Sequence, residues 1–266
     1  MAAFGMRATA SQSYNYYWRL VVTGVSFLLF SAGGAVVSLA LPAVYLLPGG
    51  AARREQRARW MICKFFGLLV GLLRVTGVMR LETHGVERLR QAGAVLVLAN
   101  HPSLIDVVVL LSTMPRATCV VKAALWANPF VAGAISAAGY IRNSSSPEQV
   151  IDDCDRALRN GSAVIIFPEG TRTRPNEPLK FLRGAAHVAL KNGWPIVPVL
   201  LQCDPPTLTK GSRWYDIPAR PFSFRVMVRD ELAPARLADL RRPPVLAARS
   251  LTHALESYFS RELRIL

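Results

Sequence analysis

A histidine and an aspartate, His101 and Asp106, lie five positions apart in a short polar segment of the chain. The apolar run from Ala94 to Ala99 comes just before them, between Gly93 and Asn100, and is typical of a buried strand. The aspartate falls at the start of a predicted helix, so its carboxylate can accept a hydrogen bond from one imidazole nitrogen and leave the other nitrogen as a base. The alternative is that the histidine only caps a turn and the aspartate only begins a helix.

A second candidate segment, Phe167 to Thr173, follows another apolar run. Its Gly170 permits a close backbone approach, and its Arg172 can make a bidentate contact with a phosphate. Glu169 can order the loop or bind a hydroxyl group, and Thr171 and Thr173 add hydroxyl donors. A solvated turn is the alternative, but beside the histidine this segment becomes a candidate substrate-binding loop.

Short apolar strands alternate with helices in the part of the chain that positions these residues. The sequence predicts strands at 94–99, 118–121, 163–167, 196–201 and 222–228, and helices at 103–113, 129–138, 147–160, 184–191 and 245–263. This alternation predicts an α/β domain with a largely parallel central sheet flanked by helices. Ligands bind at the carboxyl ends of the strands in such sheets, which is where both candidate segments lie.

An apolar segment near the N-terminus predicts a membrane-associated helix. No charged residue lies between Leu20 and Leu47, and about 20 apolar residues suffice to cross a bilayer. The aromatic residues from Tyr16 to Trp18 precede this run, and aromatic residues are common where a helix meets the membrane interface. The run is too long for the hydrophobic core of a signal peptide. We interpret it as a retained anchor. The basic cluster at 53–59 favours a catalytic domain on the cytoplasmic face of the inner (cytoplasmic) membrane.

A second apolar stretch runs from Trp60 to Met79 and contains Lys64 and Arg74. The two charges favour an interfacial or re-entrant helix whose cations reach the lipid headgroups. The alternative is a core helix of the catalytic domain. We therefore predict N-terminal membrane-anchoring helices over residues 1–82 and a catalytic domain over residues 83–266.

The composition restricts the partners that the protein can have. The chain of 266 residues contains 32 Lys and Arg against 17 Asp and Glu, a net charge of +15 that attracts polyanions. Because the basic residues are dispersed and accompany an apolar N-terminus, they favour membrane lipids over nucleic acid. The cysteines are Cys63, Cys119, Cys154 and Cys203. Their wide separation disfavours a metal site and predicts reduced thiols.

Residues 80–230 resemble the glycerolipid acyltransferase family in several ordered motifs. The matching residues are Asn100, His101 and Asp106 for NHxxxxD, Phe167 to Arg172 for FPEGTR, Pro195 to Pro198 for a hydrophobic-proline run, and further matches at Lys122 and 181–184. Two full motifs in the family's order make a chance match very improbable. The resemblance implies an O-acyltransferase of the 1-acyl-glycerol-3-phosphate type.

The resemblance also implies a reaction for these residues. His101 would deprotonate the hydroxyl of a lysophospholipid acceptor, which then attacks the thioester of acyl-CoA or acyl carrier protein. Asp106 would orient the imidazole, and Arg172 with Lys122 would hold the acceptor phosphate. Glu169 would fix the loop or an acceptor hydroxyl. We expect no metal and no cofactor beyond the acyl donor.

One sequence motif of the family differs in this chain, and this difference leaves other acceptors as alternatives. The family carries a glycine, a hydrophobic stretch and then an arginine, whereas this chain has Gly139, then Arg142 with Asn143, and Ser145 further on. That motif is tied to acceptor recognition in the family. An acyltransferase of an amino-acid-derived lipid or of a specialised biosynthetic product is therefore an alternative. A catalytically silent lipid-binding membrane protein is a third hypothesis, against which the intact His-Asp pair argues.

Overall fold

A central β-sheet organises the part of the chain that the computed structural model describes, residues 2–46, 48–144, 146–239 and 241–265. Leu47 and Ser145, which entered the sequence predictions, lie outside these ranges. The strands are β1 (Met79–His84), β2 (Leu96–Ala99), β3 (Thr118–Lys122), β4 (Ile141–Asn143), β5 (Val164–Ile166), β6 (Ile196–Asp204) and β7 (Phe222–Val228).

The strands lie in the order β1-β7-β6-β2-β5-β3-β4. Strands β2 to β6 run parallel to one another, β7 pairs antiparallel with β6, and β1 runs parallel to β7. The prediction of a largely parallel sheet is confirmed. Strand β2, which carries the histidine at its end, lies in the middle of the sheet, with β6 on one side and β5 on the other.

Helices cover both faces of the sheet. They are α1 (Ala2–Leu46), α2 (Ala51–Val75), α3 (Val86–Arg90), α4 (Asp106–Thr113), α5 (Ala132–Ala137), α6 (Pro147–Arg159), α7 (Gly184–Lys191), α8 (Pro234–Leu237) and α9 (Pro244–Arg264). Helices α1 to α5 share one hydrophobic core with the sheet, and α6, α7 and α9 share the other. In β2, Val97 and Ala99 face the first core while Leu96 and Leu98 face the second. This explains why the strand is apolar without interruption.

Several elements differ from the sequence prediction. Strands β1 and β4 at the two edges of the sheet were not predicted, because edge strands bury few side chains and lack a long apolar run. The predicted boundary between residues 82 and 83 falls inside β1, so the sheet begins at Met79. Helix α4 begins at Asp106 and not at Ser103.

Helix α2 has two different faces. One face is buried against α4 and α5 and includes Ile62, Leu69 and Leu73. The other face leaves Trp60 53% exposed and Leu68 73% exposed. The buried face therefore fits the interpretation of this stretch as a core helix. The exposed apolar face is available to a membrane surface, as in the interfacial interpretation.

Helix α1 carries the apolar segment. Within the described residues, only the stretch Asn15–Leu39 is long and apolar enough to cross a membrane. Its inner side contacts the rest of the protein: Trp18 Nε1 donates a hydrogen bond to Thr76 O at 3.0 Å, and a Cβ added to Gly34 would lie only 2.4 Å from Phe130 O. Its outer side exposes large apolar residues, among them Val21, Leu28, Val36 and Leu39.

Candidate active site

The position of His101 is fixed by the residue before it. Asn100 continues the pairing of β2 with β6 through its side chain, donating from Nδ2 to Leu201 O at 2.8 Å and accepting at Oδ1 from Leu201 N at 2.7 Å. The imidazole ring stacks on Phe167, with ring centroids 4.3 Å apart. Both contacts hold the histidine at the carboxyl end of the central strand. Sequence reasoning assigned neither Asn100 nor Phe167 a role, although both belong to the two motifs.

The predicted contact between the histidine and the aspartate is confirmed. His101 Nδ1 lies 2.7 Å from Asp106 Oδ2, and the same oxygen accepts a hydrogen bond from Ser103 N at 2.8 Å. With its proton on Nδ1, the imidazole donates to the carboxylate and keeps Nε2 as an acceptor. Asp106 is fully buried, which raises its pKa to about 6 against the opposing effect of the hydrogen bond from His101. The aspartate therefore contacts the imidazole of His101 and not the solvent.

Glu169 connects the two motifs through the backbone. Its Oε1 accepts a hydrogen bond from His101 N at 2.8 Å, and its Oε2 accepts from the hydroxyl of Thr173. Thr173 N also donates to His101 O at 3.0 Å. Burial raises the pKa of Glu169 to about 7, opposed by the hydrogen bond from His101 N. Glu169 therefore orders the loop, which is one of the two roles that the sequence indicated. The hydroxyl group that it binds belongs to Thr173.

Gly170 adopts a backbone conformation that favours glycine. Its φ is +68°, and a Cβ at this position would lie 2.6 Å from Leu182 Cδ1. The positive φ explains why the chain has a glycine here, and a role of Gly170 in substrate binding stays a prediction. The neighbouring Thr171 is half-buried, and its hydroxyl makes no hydrogen bond to the described residues.

Arg172 holds a loop. Its Nη1 donates to Leu208 O at 2.7 Å and to Thr209 O at 3.0 Å, both in the segment 205–221 between β6 and β7, which we call the β6–β7 loop. Ser103 binds the same loop, donating from Oγ to Thr207 O at 2.8 Å. The carbonyl oxygens that Arg172 contacts come 36 and 37 residues later in the chain. Sequence reasoning therefore placed a phosphate at Arg172 and missed its loop contacts.

Several of these residues line a cavity of about 450 Å³. His101, Gly170, Arg172 and Lys122 line it, and Asp106 and Glu169 stand behind its wall. The rest of the lining is mainly apolar and comes largely from α1, α2, α4 and β3, including Phe27, Phe30, Phe66, Leu69, Leu73, Val108 and Val121. The helix predicted as a membrane anchor therefore forms part of the wall of the candidate active site.

Lys122 differs from the other cations of this cavity. It ends β3, opposite Asn143 of β4, and its side chain makes no hydrogen bond or ion pair to the described residues. Arg220 forms an ion pair with Asp204 at 2.8 Å. The ammonium group of Lys122 is therefore available to an anionic ligand.

The sequence of this chain is similar to those of known acyltransferases. Residues 80–202 match a family model described as Acyltransferase. The 1-acyl-sn-glycerol-3-phosphate acyltransferase of Pseudomonas aeruginosa is 30% identical over 183 residues, which cover 66% of this chain and 69% of that protein. The chloroplastic enzyme of the same name from Brassica napus is 27% identical over 188 residues, covering 67% of this chain.

The chain spans only part of several plant relatives, 52% of the Brassica napus protein and 36% of the Arabidopsis thaliana one. The fold agrees with the crystal structure of the 1-acyl-sn-glycerophosphate acyltransferase from Thermotoga maritima. That comparison has a TM-score of 0.69 at 19% identity and covers 92% of this chain and 94% of the other. On the strength of the bacterial relative and the family match, this chain belongs to the acyltransferase family that includes the 1-acyl-sn-glycerol-3-phosphate acyltransferases.

Proposed function

We propose that this protein transfers a fatty acyl group from an acyl thioester to the hydroxyl of a lysophospholipid such as 1-acyl-glycerol-3-phosphate. The observation that carries the proposal is the His101–Asp106 contact, which leaves the second imidazole nitrogen without a partner in the described part of the chain, on a residue that lines a largely apolar cavity. The names of the relatives support this acceptor. For the acyl donor we propose acyl-CoA or acyl carrier protein.

The chemistry follows from the two ring nitrogens of His101. Nε2 takes the proton of the acceptor hydroxyl as its oxygen attacks the thioester carbonyl, and Asp106 stabilises the resulting imidazolium through Nδ1. Collapse of the tetrahedral intermediate breaks the C–S bond, and the imidazolium returns its proton to the departing thiolate. Glu169 acts on the histidine only through the backbone, so it is a positioning residue.

The cavity suits the two ends of a lysophospholipid. Its apolar lining from α1 and α2, with Phe30, Phe66 and Leu69, matches an acyl chain. Lys122 is the cation best placed for the acceptor phosphate, because Arg172 already binds two carbonyl oxygens through Nη1. Arg172 then serves mainly to hold the β6–β7 loop against the catalytic segment.

Attachment to a membrane would bring the cavity to its substrates. The exposed apolar side chains of α1 and of the outer face of α2 are available for contact with lipid. Acyl-CoA and acyl carrier protein are cytoplasmic, so we place the catalytic domain on the cytoplasmic face of the inner membrane. Lysophospholipid then enters the cavity from the bilayer, and the donor enters from the aqueous side.

The test is acyl transfer by the purified, detergent-solubilised protein. Wild-type protein should acylate lysophosphatidate from labelled acyl-CoA or acyl carrier protein, and His101→Ala should lower kcat by about 10²- to 10⁴-fold, the usual contribution of a general base. His253→Ala is the matched control, because His253 is exposed on α9 and lies outside the cavity lining. Equal activity of His101→Ala and wild type would remove the base assignment. Transfer to monoacylglycerol but not to lysophosphatidate would remove the proposed acceptor.

A further inference from the structure

Helix α1 carries a buried arginine near the start of its apolar stretch. Arg19 is 6% exposed and belongs to the stretch Asn15–Leu39, yet its side chain lines the same cavity as His101. A guanidinium group in so apolar a setting is costly, because it loses hydration that carbonyl contacts replace only in part. Ionisable residues kept in such helices generally serve a ligand or a transport path.

The contacts of Arg19 leave its charge without a counterion. Its Nη2 donates to Ala219 O at 2.7 Å and to Pro218 O at 3.4 Å, both at the end of the β6–β7 loop. Its Nε is enclosed without a hydrogen-bond partner, and Nη1 makes no hydrogen bond to the described residues. No described carboxylate lies within ion-pair distance of it. The guanidinium therefore retains donors for an anion that enters the cavity.

Arg19 and Lys122 lie on opposite sides of the catalytic strand. The loop that Arg19 contacts leads into β7, and Lys122 ends β3. Between β7 and β3 the sheet order is β7-β6-β2-β5-β3, so the two strands are four spacings of about 4.8 Å, or about 19 Å, apart. His101 ends β2, midway between them. This separation favours two different anionic groups, one on each side of the base.

We propose that Arg19 forms a second phosphate-binding subsite of the active site, on the β7 side of His101 and separate from Lys122. The inference rests on the proposed function, in which both the acceptor and the donor carry phosphate groups. The shared ligand chemistry is a phosphate ester, supplied either by the lysophospholipid headgroup or by the phosphates of CoA or the carrier-protein arm. Arg19 is thus a specificity-determining residue contributed by the membrane-associated helix.

The experiment measures ligand binding without turnover. In a His101→Ala background, calorimetry in detergent would compare 1-oleoyl-lysophosphatidate, free CoA, inorganic pyrophosphate and, as the neutral ligand, monoolein. Arg19→Met should weaken binding of pyrophosphate and of at least one phosphate-bearing substrate by about tenfold, as expected for a lost charge-assisted hydrogen bond, and leave monoolein unchanged. The substrate that weakens identifies the source of the phosphate. Arg19→Lys, which keeps the charge, should recover much of the affinity.

A control separates anion binding from the attachment of α1. Trp18→Phe removes the neighbouring hydrogen bond from α1 to Thr76 O but no charge, so it should leave all four affinities unchanged. An equal loss of monoolein and phosphate binding in Arg19→Met would show a purely structural role and overturn the inference. Absence of any phosphate binding in the His101→Ala background would also overturn it. Retained, Arg19-dependent anion binding in a protein that transfers no acyl group would overturn only the proposed function.

Discussion

Two buried carboxyl groups support the same histidine in different ways. Asp106 contacts the imidazole ring, whereas Glu169 accepts a hydrogen bond from the backbone of His101 and so fixes the position of the main chain that carries the ring. Both are at least nine-tenths buried, and burial is the largest cause of the raised pKa of each. Desolvating a carboxylate is unfavourable, so these two buried groups do not stabilise the fold. Their contribution is to hold the histidine in position.

The raised pKa values give the stability of the protein a definite dependence on pH. The unfolded chain ionises these carboxyls near their ordinary pKa values, before the folded protein does, so the free energy of unfolding falls as pH rises from about 4. The fall ends once pH passes the folded pKa values of about 6 for Asp106 and about 7 for Glu169. Above that range both states are ionised and this contribution is constant.

Glu169→Gln tests this relation, because the amide has nearly the same shape and stays neutral. Wild type should lose stability between pH 4 and pH 8 as the buried carboxyl group ionises, whereas the amide stays neutral. The unfolding free energy of the variant minus that of wild type should therefore be about 1–3 kcal/mol larger at pH 8 than at pH 4. Urea unfolding in detergent at the two pH values measures this difference. Glu177→Gln is the control, because Glu177 is 52% exposed and should show little change. A constant difference from wild type at both pH values would contradict the burial argument.

At the scale of elements, the β6–β7 loop joins the parts of the active site. Arg172 of the second motif and Ser103 of the first both bind its beginning, and Arg19 of α1 binds its end. One irregular segment therefore connects the catalytic loops with the apolar helix. Loops of this length are commonly functional rather than simple connections.

The sequence predicted local features of this arrangement and missed the distant contacts. Strands β2, β3, β5, β6 and β7 have apolar runs that identify them, and the short spacing of His101 and Asp106 restricts how their side chains can meet. The backbone partner of Glu169, His101 N, lies 68 residues away, and the partners of Arg172 lie 36 and 37 residues away. Such contacts depend on strand order, which periodicity does not encode. Edge strands β1 and β4 were missed because most of their side chains are exposed, so neither strand has an apolar run.

The FPEGTR loop depends on the left-handed conformation of its glycine. Gly170→Ala should lower the free energy of unfolding by about 1–2 kcal/mol, because alanine disfavours a positive φ, and should reduce kcat as the loop shifts away from His101. Leu182 is 62% exposed and can move aside, so the backbone conformation sets most of this cost. Gly184→Ala is the matched control, since a Cβ there meets no atom within 4 Å. Equal melting temperatures for the two variants would contradict the assignment.

At the scale of the whole molecule, α1 lies along the catalytic domain over most of its apolar length. Among the described side chains, contacts to the domain include Trp18, then Phe27 against Trp214, and reach Ser38, which a Cβ at Gly133 would meet at 2.8–2.9 Å. The distance from Trp18 to Ser38 is about 30 Å at 1.5 Å per residue, which equals the thickness of the hydrocarbon core. If α1 crossed the bilayer, the polar catalytic domain beside it would be drawn into lipid.

We therefore expect α1 to lie in one leaflet, with its exposed side, including Val21 and Leu28, in the lipid and its inner side on the domain. Both of its ends should then face the cytoplasm. The variants Asn15→Cys and Ala51→Cys each add one exposed thiol beside an end of the apolar segment, and the native cysteines are buried. In inside-out vesicles a membrane-impermeant maleimide should label both as fast as Asp239→Cys on the catalytic domain. Labelling of only one end until detergent is added would mean that the helix crosses the bilayer, as its length alone suggests.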